Sequence, residues 1–419
     1  MLRTQAGRKE SGWGEPMRKL PYFSRGRNLW RSSSRKKRVF LTGAFLLLAA
    51  SVIVWRLLVI LPSSGSLIHR EKPTETPEPS PAPNLYVQGN RLFDAHDRPI
   101  RLIGANRSGT EYQCLTYGVF DGPSNLDSIK AMLAWHINVV RIPLNEDCWL
   151  NLNMGKSPYG GKIYQDGIED YVHLLIANGI TPILELHATA PGTQQATTRL
   201  QPLPDRDHSL NFWDGVAKAY RGNNAVIFDL FNEPFPDTNR DTRAAWQCWR
   251  DGTNPGTCPL GTAGLPYEAA GMQELVNEVR EEGATNVIML GGIQYAATLD
   301  HWMDYVPYDP QQQLIAAWHI YNYSWCNSSS CWLSQALPVM KSFPVIVGAF
   351  GENDARTAFI LRAMSFLDHP GEDVLPQNYL AWVWNTDLKP YDLITDYKSG
   401  TPTSPYGLTY MQHLLALRP

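Results

Sequence analysis

Ala225-Val226-Ile227-Phe228-Asp229-Leu230-Phe231-Asn232 runs into Glu233-Pro234. A short, nearly unbroken apolar run fits a strand buried on both faces, as in a parallel sheet covered by helices. It stops on a carboxamide, a carboxylate and a proline that cannot extend a ladder. Similar runs recur on both sides of it. Upstream lie residues 101–106, 138–143 and 181–187; downstream lie 286–290, 314–319, 344–349 and 379–384. Amphipathic stretches separate them, among them 125–135, 168–178, 210–220, 269–282, 355–367 and 406–415. Eight strands, each followed by a helical or crossover segment, predict an α/β chain folded as a (β/α)8 TIM barrel. Residues 85–100 read as a β-hairpin ahead of it, turning at Gln88-Gly89-Asn90. The alternative is a doubly wound open sheet. That fold favours a glycine-rich phosphate turn after the first strand, and Gly104-Ala105-Asn106-Arg107-Ser108-Gly109 lacks its spacing.

The barrel does not account for the first 84 of the 419 residues. Net charge is -3, but residues 1–38 hold 12 Lys/Arg against 2 Asp/Glu, a net +10, and the other 381 hold 25 against 38, a net -13. Residues 39–61 are apolar except for Arg56 and are long enough, at 23 residues, to span a bilayer. Arg35, Lys36, Lys37 and Arg38 flank them. The positive-inside rule then puts 1–38 in the cytoplasm and the rest outside the cell membrane, on a single-pass anchor. A long cleaved signal peptide is the competing reading, and no small-x-small site follows the run. Residues 62–84 carry prolines at 62, 73, 77, 79, 81 and 83, an extended spacer. The expected domains are 1–38, 39–61, 62–84 and 85–419. The acidic main part argues against a nucleic-acid partner, and a monomer is expected.

All six cysteines follow the apolar run, which suggests three disulfides in an oxidising compartment. Fifteen pairings are possible. Cys326–Cys331 and Cys248–Cys258 each close a short polar loop, leaving Cys114–Cys148. A zinc site is the competing reading and lacks tight CxxC pairs.

In such a barrel chemistry sits where the strands end. The second strand ends near Arg141, the third at Glu185 and His187, the fourth at Asn232-Glu233-Pro234. The sixth ends at His319 with Tyr321 beyond, the seventh at Gly348-Ala349-Phe350-Gly351, the eighth at Trp382 and Trp384. With these residues in place, the chain from Leu85 onward resembles glycoside hydrolase family five, the retaining cellulases and their relatives. The most specific element is Phe228-Asp229-Leu230-Phe231-Asn232-Glu233-Pro234. Supporting matches are Asn138-Val139-Val140-Arg141-Ile142-Pro143, Leu184-Glu185-Leu186-His187, Trp318-His319-Ile320-Tyr321 and Ala381-Trp382-Val383-Trp384-Asn385. The resemblance implies that Glu233 is the general acid/base and that Asn232 bonds the sugar 2-hydroxyl. It implies that His187, His319 and Tyr321 bind substrate and that Arg141 orients the nucleophile.

Retaining glycosidases use two carboxyls about 5–5.5 Å apart, one to protonate the leaving oxygen and one to attack the anomeric carbon. By the same resemblance the nucleophile is a Glu between Gly348 and Phe350. This chain has Ala349 there. Glu352, three residues on, is read as a loop or first-turn helix carboxylate rather than a replacement. Trp384 is expected to be a stacking platform, while Trp149, Trp325, Trp332 and Trp382 divide between platform and core. The implied activity is endo-hydrolysis of a β-1,4-glucan such as cellulose, with no cofactor and no metal. The alternative is an inactive glycan-binding protein at the cell surface.

Overall fold

The computed structural model describes residues 80–253, 258, 266–354 and 356–417. The basic segment 1–38 and the apolar run 39–61 lie outside these residues, as does most of the proline-rich 62–84. Among the described residues no helix is long and apolar enough to cross a membrane.

The eight expected strands form a closed parallel barrel. A three-stranded antiparallel sheet precedes it: β1 (Leu85–Gln88), β2 (Arg91–Asp94) and β3 (Pro99–Ile100). The barrel strands are β4 (Ile103–Asn106), β5 (Val139–Asn145), β6 (Thr181–Ala188), β7 (Ile227–Asp229), β8 (Ile288–Gly291), β9 (Leu314–Tyr321), β10 (Val345–Gly351) and β11 (Asn378–Ala381). They are joined in sequence order, and β11 closes on β4. The chain meets the barrel at Ala82, which is buried and donates its N–H to Ile176 O at 2.7 Å.

Period-two alternation sorts each strand's side chains. Val140, Ile142, Leu184, Leu186, Phe228, Trp318 and Ile320 pack outward with the helices in one large core. Val139, Ile183, Ile227, Ala317, Ile346 and Leu380 point inward and pack with Leu85 and Leu92. The N-terminal hairpin therefore plugs the bottom of the barrel. Two residues beyond that apolar layer, on the same inward face, come Arg141, Glu185, Asp229 and His319. The alternation that fills the floor with methyl groups thus lifts polar groups into the mouth.

Strand β10 breaks this rule at the position that matters most. Val347 pairs with Trp318 and Ala349 pairs with His319, with a register shift between them. Gly348 is the extra residue of a bulge. Strict alternation from inward Ile346 would turn residue 349 outward; the bulge brings Ala349 level with inward His319 and returns Phe350 to the outer core. A side chain at 348 is unwelcome, because a Cβ there would lie 3.0 Å from His319 Nε2.

All three disulfides are present as the spacing suggested: Cys114–Cys148, Cys248–Cys258 and Cys326–Cys331.

Candidate active site

Arg141 is the hub of the mouth. Its side chain is fully buried, so its charge must be met by protein groups. Nε donates to Asp229 Oδ2 at 2.8 Å, Nη2 to Asn232 Oδ1 at 3.0 Å, and Nη1 to Asn106 Oδ1 at 3.1 Å. Glu185 Oε2 lies 3.4 Å from Nη1. Five strands are thereby tied through one guanidinium, since Asn106 also donates to Gly348 O at 2.9 Å. The Asn232 oxygen is taken by Arg141, and its amide N–H groups bond nothing among the described residues. They are the part left to meet a ligand.

Glu233 lies just beyond β7 with its side chain 19% exposed. Oε1 is 2.9 Å from His319 Nδ1. Burial and then the nearby Arg141 charge lower the His319 pKa despite Glu233, which favours a neutral ring. His319 Nε2 is buried without a partner. Ala349 is the backbone neighbour of this histidine, one strand over from the residue that holds Glu233. The Tyr321 hydroxyl is pushed well above its usual pKa by burial and by the Glu233 charge, and stays a proton donor.

His187 is 3.1 Å from Glu185 Oε2 through Nδ1. Burial works against its protonation, but Glu185 prevails and raises its pKa. Its ring lies nearly parallel to Trp382, 13° between planes and 6.2 Å between centroids. A cleft of about 470 Å³ opens beside Glu233, lined by Tyr295, Tyr321, Tyr323 and Trp325 among others. Tyr323 stacks on Tyr321 at 5.2 Å and is 59% exposed; Trp325 is 51% exposed. Aromatic faces around a carboxyl suit the apolar C–H faces of a sugar chain.

Two expectations meet the geometry differently. Trp384 is not a platform. Its side chain is fully buried and packs edge-on to Trp135 at 4.9 Å. Strand β11 ends at Ala381, so alternation no longer relates 382 to 384, and the Trp384 backbone N–H donates to Asn106 O at 2.8 Å. Trp382 takes the place at the mouth. Trp384→Ala should therefore cost about 3–5 kcal/mol of stability, whereas Trp382→Ala should leave the melting temperature nearly unchanged and weaken glycan binding. Parallel melting curves and titrations check this pair. Glu352 fits its plainer reading: Oε2 accepts from the Phe359 N–H at 2.9 Å, capping the helix Ala358–Asp368.

Sequence reasoning gave no role to Glu111, Tyr295 or Tyr323. Glu111 is buried, accepts from the Gly109 N–H at 2.6 Å, and burial pushes its carboxyl up to about 7 although His187 pulls it down. A carboxyl raised on folding holds its proton more tightly when folded, so stability falls as pH rises from about 4.5 through about 7. On the scale of about 1.4 kcal/mol per pKa unit, that loss reaches at most about 3.5 kcal/mol. Glu111→Gln should flatten the fall in melting temperature between pH 5 and pH 8; an unchanged slope would show that the group is not responsible. Tyr295 sits in a run, Gln294, Tyr295 and Ala296, with φ of 57°, 61° and 57°. No sequence signal marks non-glycine residues for that left-handed backbone.

The family model described as cellulase (glycosyl hydrolase family 5) matches residues 93–385. A mannan endo-1,4-β-mannosidase of Salipaludibacillus agaradhaerens is 21% identical over 324 residues, covering 74% of this chain and 84% of that protein. Among solved structures, a β-glucanase of Saccharophagus degradans shares 17% identity at a TM-score of 0.59, covering 81% of this chain and 95% of that one. That β-glucanase has also been solved with cellotetraose bound, a structure that matches at a TM-score of 0.58 and 18% identity over 81% of this chain and 95% of that one. The catalytic domain of a Thermobifida fusca endoglucanase matches at a TM-score of 0.53 and 17% identity, over 80% of this chain and 97% of its own.

Proposed function

Because this chain belongs to glycoside hydrolase family 5, as the match over residues 93–385 shows, we propose that its cleft binds a β-1,4-linked glucan, with endo-hydrolysis by retention as the reaction its residues are arranged for. Glu233 is the acid/base, held by His319. Asn232 meets the sugar hydroxyl, and Tyr321, His187 and Trp382 line the binding surface. The observation that supports the reading is the pairing of Ala349 with His319, the histidine that holds Glu233: on this reading Glu233 is the acid and a methyl group stands where the attacking carboxylate belongs. A methyl group cannot bond to an anomeric carbon, so turnover by this chain is very slow and binding is its prevailing activity.

That substitution also favours the second reading, an inactive glycan-binding protein. The two separate in one experiment. Cello-oligosaccharides and manno-oligosaccharides are titrated into the full chain, and reducing ends are followed for days. Binding with slow cleavage abolished by Glu233→Gln supports the hydrolase; binding with no cleavage supports the binder; no binding overturns both.

We further propose that residues 39–61 anchor the chain in the cell membrane, with 1–38 inside and a monomeric barrel outside. The +10 basic segment and three disulfides support that orientation. Protease added to intact cells should cut within 62–84 and spare 1–38. Recovery of a soluble chain lacking residues 1–61 from the medium would refute anchoring.

A further inference from the structure

A second cluster of ionisable groups lies apart from the groups around Glu233. Glu146 opens the short helix Glu146–Leu150, directly after β5. Asp205 and His208 stand just before the helix Ser209–Tyr220. The chain brings the two together, with one ligand atom from each of Glu146, Asp205 and His208 within 4.8 Å of the others. His208 Nδ1 is 3.8 Å from Glu146 Oε1 and 3.7 Å from Asp205 Oδ1. Asp207 Oδ2 lies 3.6 Å from the other ring nitrogen. Glu146 and Asp205 have no exposed side-chain surface.

What sets the cluster apart is what it lacks. Glu146 Oε2 accepts from the Ser209 hydroxyl and Asp205 Oδ1 from the His208 N–H, but Glu146 Oε1, Asp205 Oδ2 and His208 Nδ1 are buried and, with both carboxyls ionised, meet no donor. Asp147, the next residue, buries an unpartnered oxygen as well. Among the described residues no Lys or Arg forms an ion pair with Glu146, Asp147, Asp205 or Asp207; His208 alone approaches three of them. Buried carboxylates without a counter-charge are costly. A single cation that reaches all three residues would supply the missing counter-charge.

We propose that Glu146, Asp205 and His208 bind one divalent transition-metal ion of the Zn²⁺ type, which fastens the loop before the helix Ser209–Tyr220 to the end of β5. Bonds of about 2.0–2.2 Å from Zn²⁺ place a nitrogen and an oxygen ligand of one ion at most about 4.3 Å apart, which accommodates the 3.8 and 3.7 Å from His208 Nδ1 to Glu146 Oε1 and Asp205 Oδ1, while the full set lies within 4.8 Å and must draw in slightly on binding. The imidazole nitrogen selects such an ion over Ca²⁺ and Mg²⁺, which prefer oxygen throughout. Asp207 on the far side of the ring keeps Nδ1 turned toward the carboxylates, the usual role of a carboxylate behind a ligating histidine. Water completes the shell. The role is structural, because neither Glu233 nor Ala349 contributes a ligand.

The test uses the full chain, freed of metal by chelator and dialysed. Zn²⁺ is titrated by calorimetry, with Ca²⁺ as the comparison ion, and Co²⁺ serves as an optical reporter of nitrogen and oxygen ligation. One equivalent of Zn²⁺ is expected, with a rise in melting temperature and a visible Co²⁺ band. His208→Gln and Glu146→Gln should each weaken that equivalent about tenfold or more, and both should lose the band. His208→Gln keeps the ring's volume approximately and adds no charge, so a folded variant is expected even if Glu146→Gln misfolds. Three results overturn the proposal: no saturable Zn²⁺ equivalent, an equivalent that survives both substitutions, or tighter binding of Ca²⁺ than of Zn²⁺. A metal-free chain that Glu146→Gln stabilises, with no Zn²⁺ response in either form, would show that a shared proton satisfies the carboxyl pair instead.

Discussion

Ala349→Glu should raise the rate of β-1,4-glucan hydrolysis on the order of 10⁴-fold, the size of effect seen when one member of a catalytic set is removed or restored. The surroundings are ready for the new carboxylate. Ala349 is level with His319, whose Nε2 is buried with no partner, and Arg141 Nε lies 3.6 Å from where a Cβ on Gly348 would sit. A cation and an unused ring nitrogen thus lie beside the bulge that carries Ala349. Ala349→Gln is the control, because it adds the same bulk without a nucleophilic charge and should gain nothing. The product should appear first as the β-anomer, since two displacements restore the configuration. If the parent chain already hydrolyses at the variant's rate, and Glu352→Gln abolishes both, the nucleophile is elsewhere.

The second large effect concerns the chain as it stands. Alanine lacks the four heavy atoms with which glutamate would approach the anomeric carbon. Azide entering that space can attack the carbon while the bond to the leaving oxygen breaks and Glu233 supplies that oxygen's proton. The product is an α-glycosyl azide, of opposite configuration to the β-linked substrate. A retained acid contributes about 10²–10⁴-fold, so Glu233→Gln should reduce the azide-supported rate on cello-oligosaccharides by that factor. Product configuration is read by NMR. A β-azide, or rescue indifferent to Glu233, would contradict the assigned geometry. Ala349→Glu should be insensitive to azide, because its own carboxylate fills the space.

Much of this site is legible in the sequence. Arg141, Glu185, Asp229 and His319 lie two residues beyond apolar positions on their strands, and a period of two is enough to place them on the inward face. Glu233 and Asn232 follow from where a strand must stop. The rest was hidden for specific physical reasons. The side to which Ala349 turns depends on a bulge at Gly348, and a bulge inverts the period rule without changing composition. Trp382 and Trp384 look equivalent in sequence, yet β11 ends before both, and of the two it is the Trp384 ring that is fully buried. Tyr295 reaches the cleft on left-handed backbone that its residue type does not announce. Glu146, Asp205 and His208 meet only after the crossover from β5 to β6 has folded, and nothing in their spacing forecasts it.

The bond between Cys326 and Cys331 joins the residue after exposed Trp325 to the start of the following helix. Cys326 O accepts from Trp332 Nε1 at 2.9 Å, and Asn327 Nδ2 donates to Asn322 O at 2.7 Å. The loop is therefore cross-braced before any sugar arrives. Holding a large side chain still on binding costs about 0.5–1.5 kcal/mol when the protein has not already done so. Here that ordering is completed during folding, outside the binding equilibrium. Opening this one ring with reductant should leave the barrel standing and loosen its grip on glycan, mainly by faster release. On the proposed glycan-binding reading, that bond then sets how firmly the rim of the cleft holds its ligand, independent of any chemistry at Glu233.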